Sequence, residues 1–153
     1  MRNEIKLLSV EGVGENIEEL SGKLDIFIEK NSQLHERFPD KWRSKDFNSF
    51  QAYALSDKAN IALVRGRINE AETLIDQALE LSSRSAAARM IDLKIRCTSR
   101  PGLAENRKLF DDTVSMLKNE IDDAKDEQGK KNARMMYIYF SEDYQLKKLC
   151  GFD

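Results

Sequence analysis

Residues suited to β-structure or to chemistry are scarce in this 153-residue chain. It has two prolines and seven glycines, too few turn-formers for the repeated reversals of an all-β fold. Its one histidine, His35, stands beside Glu36 with no evident partner, so general acid–base catalysis lacks its usual residue. The two cysteines, Cys97 and Cys150, are far apart in sequence and have neither CxxC nor His-rich company. Cys97 reads as a structural apolar side chain, and a reducing compartment fits the two better than secretion. No apolar run approaches the roughly 20 residues that span a bilayer. Met1-Arg2-Asn3-Glu4 leads into a segment too short and too charged for a secretory signal. The cytoplasm is the expected location. A formal net charge of −2 excludes a general attraction to nucleic acid or anionic membrane. Gly12-Val13-Gly14 lacks the glycine and lysine of a phosphate loop, and no EF-hand or Glu-x-x-His spacing occurs. The expectation is a chain without catalytic residues, metal or cofactor, and not an enzyme.

What is present is helical periodicity. Apolar residues make up 41% and charged residues 34%, and the length fits a single domain, 1–153, with a core of its own. The strongest stretch runs from Ala52 to Ser83. In its first arm Leu55, Ala59, Ala62 and Leu63 recur at helical spacing. In the second, Ile68, Ala71, Leu74, Ile75, Ala78 and Leu79 do so, opposite Glu70, Glu72, Asp76 and Glu80. Gly66 lies between them, where a helix C-terminus favours a residue tolerant of positive φ. The alanines on the two arms let their backbones approach closely without a void.

This pattern resembles a tetratricopeptide repeat, a helix–turn–helix unit of about 34 residues. Ala59, Gly66, Ala71, Ile75 and Ala78 occupy the family's small-residue, turn and large-apolar places. Leu55 stands where the family has an aromatic, Lys58-Ala59 where it has a Leu-Gly-like pair, and Ser83 where it has a closing proline. The resemblance implies an all-α fold of antiparallel hairpins stacked as a short superhelix or bundle. It also implies a groove lined by the first helix of each repeat, carried here by Tyr53, Ser56, Asn60, Leu63 and Val64, then Met90 and Lys94. Asn60 matches the family's asparagine that bonds a peptide backbone or terminal carboxylate. Ser56 replaces the lysine that usually accompanies it, which counts against a two-carboxylate clamp.

The remaining segments also read as helix. Residues 1–14 form an N-terminal arm, with 4–11 ambiguous between a strand and a frayed helix. A first helix over 15–38 carries Ile17, Leu20, Leu24, Phe27, Ile28, Leu34 and Phe38 on one face and stops at Pro39. Ser44 is a candidate N-cap for a hairpin over 45–83 that takes in Phe47, Phe50 and Tyr53. Ser82 to Ser85 break the pattern and supply caps for a second hairpin over 85–127, with a turn at Ser99-Arg100-Pro101-Gly102. Glu105 and Asp112 fall where a second repeat would need alanine, so any outer repeat is degenerate. Gln128-Gly129-Lys130-Lys131 interrupts before a C-terminal helix over 130–150, with Tyr137, Phe140 and Tyr144 on its core face. The total is about six helices.

Three further features bear on binding. From Arg84 to Lys108 seven basic residues, Arg89 and Arg96 among them, stand against two acidic ones, about +5. From Asp111 to Glu127 the balance reverses to about −5. These blocks either pair within the fold or face a partner of complementary charge. Aromatics do not interleave with the basic block, which argues against nucleic acid. Tyr139 points away from the core face, toward an interface. Trp42, between Lys41 and Arg43, is either a plug over the first helices or an exposed anchor. The tetratricopeptide resemblance implies a protein- or peptide-binding adaptor, co-chaperone or regulator, a homo-oligomer being compatible with it. The alternative is a small inhibitor or immunity-type protein acting through charged faces.

Overall fold

The computed structural model describes residues 17–40 and 44–152. The N-terminal arm and Trp42 lie outside the described residues. Seven helices and no strand occur among the described residues, and the chain is all-α. Its contacts divide it into two compact units, Met1–Ala88 and Arg89–Asp153.

The first unit contains α1 (Ile17–Arg37), α2 (Ser44–Val64) and α3 (Ile68–Leu81), and it ends at the start of α4 (Ala86–Ser99). Neighbours in sequence pack against each other, α1 on α2 and α2 on α3. Leu20 and Leu24 of α1 bury against Ala54 and Ile61 of α2, flanked by Ile17, Phe27 and Ile28. Further along, the apolar seam gives way to a polar one. Asn31 Nδ2 donates to Gln51 Oε1 at 2.8 Å, and Gln51 Nε2 donates to Ser32 Oγ at 3.2 Å and Ile28 O at 3.4 Å. Asn31 and Gln51 are both buried, so a shift of register between these helices would leave amides unsatisfied in the core. Lys58–Asp25 at 2.6 Å and Arg65–Glu18 add ion pairs at the edge of the same interface. Leu34 and Phe38, expected on the core face, are 44% and 42% exposed. The face they share with Asn31 is dry only as far as the polar pair.

The hairpin of α2 and α3 forms as its alanines dictate. Ala52, Ala54, Ala59, Ala71 and Ala78 have no accessible surface. The turn is closed by Arg67 N donating to Ala62 O at 2.9 Å across Gly66, whose φ is +74°; this is the left-handed C-terminal cap expected of glycine. Two glycine substitutions in this unit should act in opposite directions. Gly22 sits inside α1 with nothing within 4 Å of the place a Cβ would take, so Gly22→Ala should stabilise by about 1 kcal/mol. Gly66→Ala meets no atom either but keeps the positive φ, and should destabilise by about 1 kcal/mol. Urea midpoints of the two variants check both signs.

The second unit holds the rest of α4, α5 (Ala104–Asp123), α6 (Glu127–Ser141) and α7 (Tyr144–Cys150). Ser85 begins α4 as expected, its Oγ accepting from Ala88 N at 3.2 Å. The interruption expected at Gln128 to Lys131 does not occur. α5 ends at Asp123, and Asp126 caps α6 by accepting from Gly129 N at 2.6 Å. Gly129 therefore lies in the first helical turn, where the cap and the helix dipole outweigh its low propensity. The C-terminal segment is two helices rather than one. Asp143 accepts from Leu146 N at 2.9 Å and starts α7 afresh. This break resets the helical phase, so Tyr144, expected in the core, is 74% exposed.

The core of this unit is aromatic and aliphatic. Phe110 and Phe140 stack with centroids 5.4 Å apart, and Phe152 tilts onto Phe110 at 5.2 Å. Leu93, Ile95, Leu117 and Leu146 are buried. Cys97 and Cys150 are joined by a disulfide with Cα atoms 4.9 Å apart, tying α7 to α4. This corrects the reading of Cys97 as a lone apolar side chain. A separation of 53 residues in sequence carries no information about distance once the intervening helices bring the two ends together.

Candidate functional site

The face of α2 expected to line a groove is only partly a surface. Tyr53, Asp57, Asn60 and Val64 follow one another at helical spacing. The first three are half-buried, and Val64 is 67% exposed. Leu63, beside them, is half-buried. Ser56 is 1% exposed, and its hydroxyl donates to Ala52 O at 2.7 Å. It has no surface to offer a ligand. Backbone bonding of this kind is the usual resort of a serine inside a helix.

In the second unit Met90 is likewise buried, at 5% exposure, whereas Lys94 is half-buried. Arg89 Nη1 donates to Thr113 Oγ1 at 3.2 Å, and Thr113 Oγ1 in turn donates to Leu109 O at 2.7 Å. This chain of bonds joins α4 to α5. Arg96 Nε donates to Asp92 Oδ1 at 2.9 Å along α4. The two charge blocks meet within α5, where Arg107 reaches Asp111 at 3.2 Å. Both of those side chains are more than half exposed, and such pairs contribute under about 1 kcal/mol. Asp112, Asp122, Asp123, Asp126 and Glu127 are exposed. Most of the acidic block is therefore displayed at the surface.

The reactive candidates are occupied structurally. His35 stacks on Phe47 with centroids 4.2 Å apart. Cys97 is a disulfide partner and carries no thiol. Among the described residues no group of three or more His, Cys, Asp or Glu side chains is placed to hold a metal ion. No helix among them is long and apolar enough to cross a membrane.

The sequence pattern singles out Tyr139 but not the surface around it. Met135, Ile138 and Tyr139 are 60%, 51% and 56% exposed on one side of α6. The signal is there to be read. Residues three and four apart on the side opposite Phe140 are apolar, but the core-facing residues of the same helix make the more conspicuous pattern. No protein-family model, curated protein or solved structure matches the chain.

Proposed function

We propose that the protein is a non-enzymatic binding module of tetratricopeptide-like character that holds a protein or peptide partner as an adaptor, co-chaperone or regulator. The observation that carries this reading is the row Tyr53, Asp57, Asn60 and Val64 along α2. It places an amide and a carboxylate between an aromatic and an aliphatic side chain on a helix locked from behind by alanines. A preformed helical face of this kind contributes shape and a few polar contacts at low ordering cost. The test is a partner captured by the tagged full chain and identified by cross-linking. Asn60→Ala should weaken its binding at least fivefold, and Val64→Asp should weaken it further, both without change in melting temperature. Equal affinity for both variants would remove α2 from the site.

A second reading, that of a small inhibitor acting through charge, is favoured by the exposed acidic residues at the end of α5 and the start of α6. Its association rate would fall steeply with salt, whereas that of a shape-based site would not. The cytoplasmic location expected from the sequence conflicts with the Cys97–Cys150 bond, since disulfides persist in oxidising compartments. The thiol state after rapid alkylation in the source cell decides between them.

A further inference from the structure

The two sides of α6 are chemically distinct. Gly129, Ala133, Met136, Tyr137 and Phe140 are buried or half-buried, while Lys131, Met135, Ile138 and Glu142 form an exposed line. Along that line the intervals are four, three and four, which is the seam spacing of helices that pack in pairs. Glu142 keeps the helical register, its N–H donating to Ile138 O at 3.0 Å. The line is symmetric in position about the midpoint of Met135 and Ile138, and its two ends carry opposite charges.

A two-fold axis through that midpoint superposes the line on itself. Met135 then lies against Ile138 of a second copy, and Lys131 against Glu142 of that copy. We propose that this face of α6 pairs antiparallel with α6 of a second copy, forming a symmetric homodimer. The contact is isologous, with the same patch used by both chains. Charge also selects its direction, because parallel pairing would set Lys131 against Lys131 and Glu142 against Glu142. Within one chain Lys131 and Glu142 are three turns apart, about 16 Å along the axis, so they have no route to each other. Glu142 stands at the C-terminal end of α6, where the helix dipole disfavours a carboxylate. A lysine brought opposite by the second copy offsets that. Tyr139 and Arg134 flank the line on either side.

The inference does not depend on the α2 site, and either stands if the other fails. A helix of 15 residues gives a contact about 22 Å long, at the small end of specific interfaces, so micromolar dissociation is expected. Sedimentation equilibrium of the full chain, disulfide intact, from about 1 to about 500 µM should show the mass rising from 17.6 kDa toward twice that value. Lys131→Glu alone and Glu142→Lys alone should each weaken the dimer about tenfold, and the double swap should restore it to within about threefold. Met135→Asp should leave a monomer. All three positions are exposed, and circular dichroism checks that each variant is folded. A monomer at every concentration overturns the proposal. So does a dimer indifferent to Met135→Asp, or a double swap no better than the single changes.

Discussion

Breaking the Cys97–Cys150 bond should lower the unfolding free energy by about 4 kcal/mol. The figure follows from the chain length the bond encloses. Its ends are 53 residues apart, and cross-linking a loop of that size removes about 4 kcal/mol of entropy from the unfolded chain. The loss is large against the roughly 5–15 kcal/mol by which domains are ordinarily stable. It falls first on α7, a helix of seven residues. On its own that length is far below what water tolerates. Besides the bond, α7 is held by buried Leu146, by the Asp143 cap, and by Gly151 and Phe152 donating back to Lys148 O and Lys147 O. Denaturant titration of the oxidised chain, the reduced chain and Cys150→Ser is the measurement. The two states that lack the bond should agree to within about 0.5 kcal/mol, apart from the serine hydroxyl, and both should lie well below the oxidised chain. Cys97 and Cys150 are 2% and 5% exposed, and thiol exchange needs access to a sulfur. Mild reductant should therefore act only as fast as α7 opens. Reduction without loss of stability would mean that packing alone seats α7.

How much of this is legible in the chain depends on the range over which each feature is determined. The α2–α3 hairpin is legible because alanine spacing and a glycine at the turn are local, and both act through sterics alone. The cap at Ser85 and the stop before Pro39 are legible for the same reason. Gly129 reads as an interruption unless its neighbour Asp126 is recognised as the cap that starts α6. That error moves one boundary. The break at Asp143 escapes notice for a similar reason and has a larger effect, turning Tyr144 from core to surface. The Asn31–Gln51 pair cannot be found by periodicity at all. Each residue alone reads as a polar position, and only the register of α1 against α2 makes them partners. The disulfide is the extreme case, determined by the closure of the whole second unit. The candidate site suffers from the same limit. The resemblance assigns Tyr53, Ser56 and Asn60 to one groove-lining face, yet it does not tell which edge of that face is covered, and Ser56 lies on the covered edge.

Phe140→Ala should cost about 4 kcal/mol, whereas Met135→Asp on the same helix should cost less than about 0.5 kcal/mol. Phe140 has no accessible surface and heads the fully buried side chains by volume. Its ring lies 24° from parallel to that of Phe110. Truncation removes the transfer free energy of a benzyl group and leaves a cavity that Phe110, itself packed on Phe152, is poorly placed to fill; such changes cost about 3–5 kcal/mol. Met135 is 60% exposed, and an exposed substitution away from any cap stays within about 0.5 kcal/mol. Measured in dilute solution, below the concentration at which chains associate, the pair of values maps the inward and outward sides of α6. The contrast also fixes what a failure would mean. If Met135→Asp were as costly as Phe140→Ala in dilute protein, Met135 would belong to the core of its own chain, and α6 would have no side left for a second copy. If both values come out as stated, loss of dimer in Met135→Asp reports a surface removed and not a helix undone.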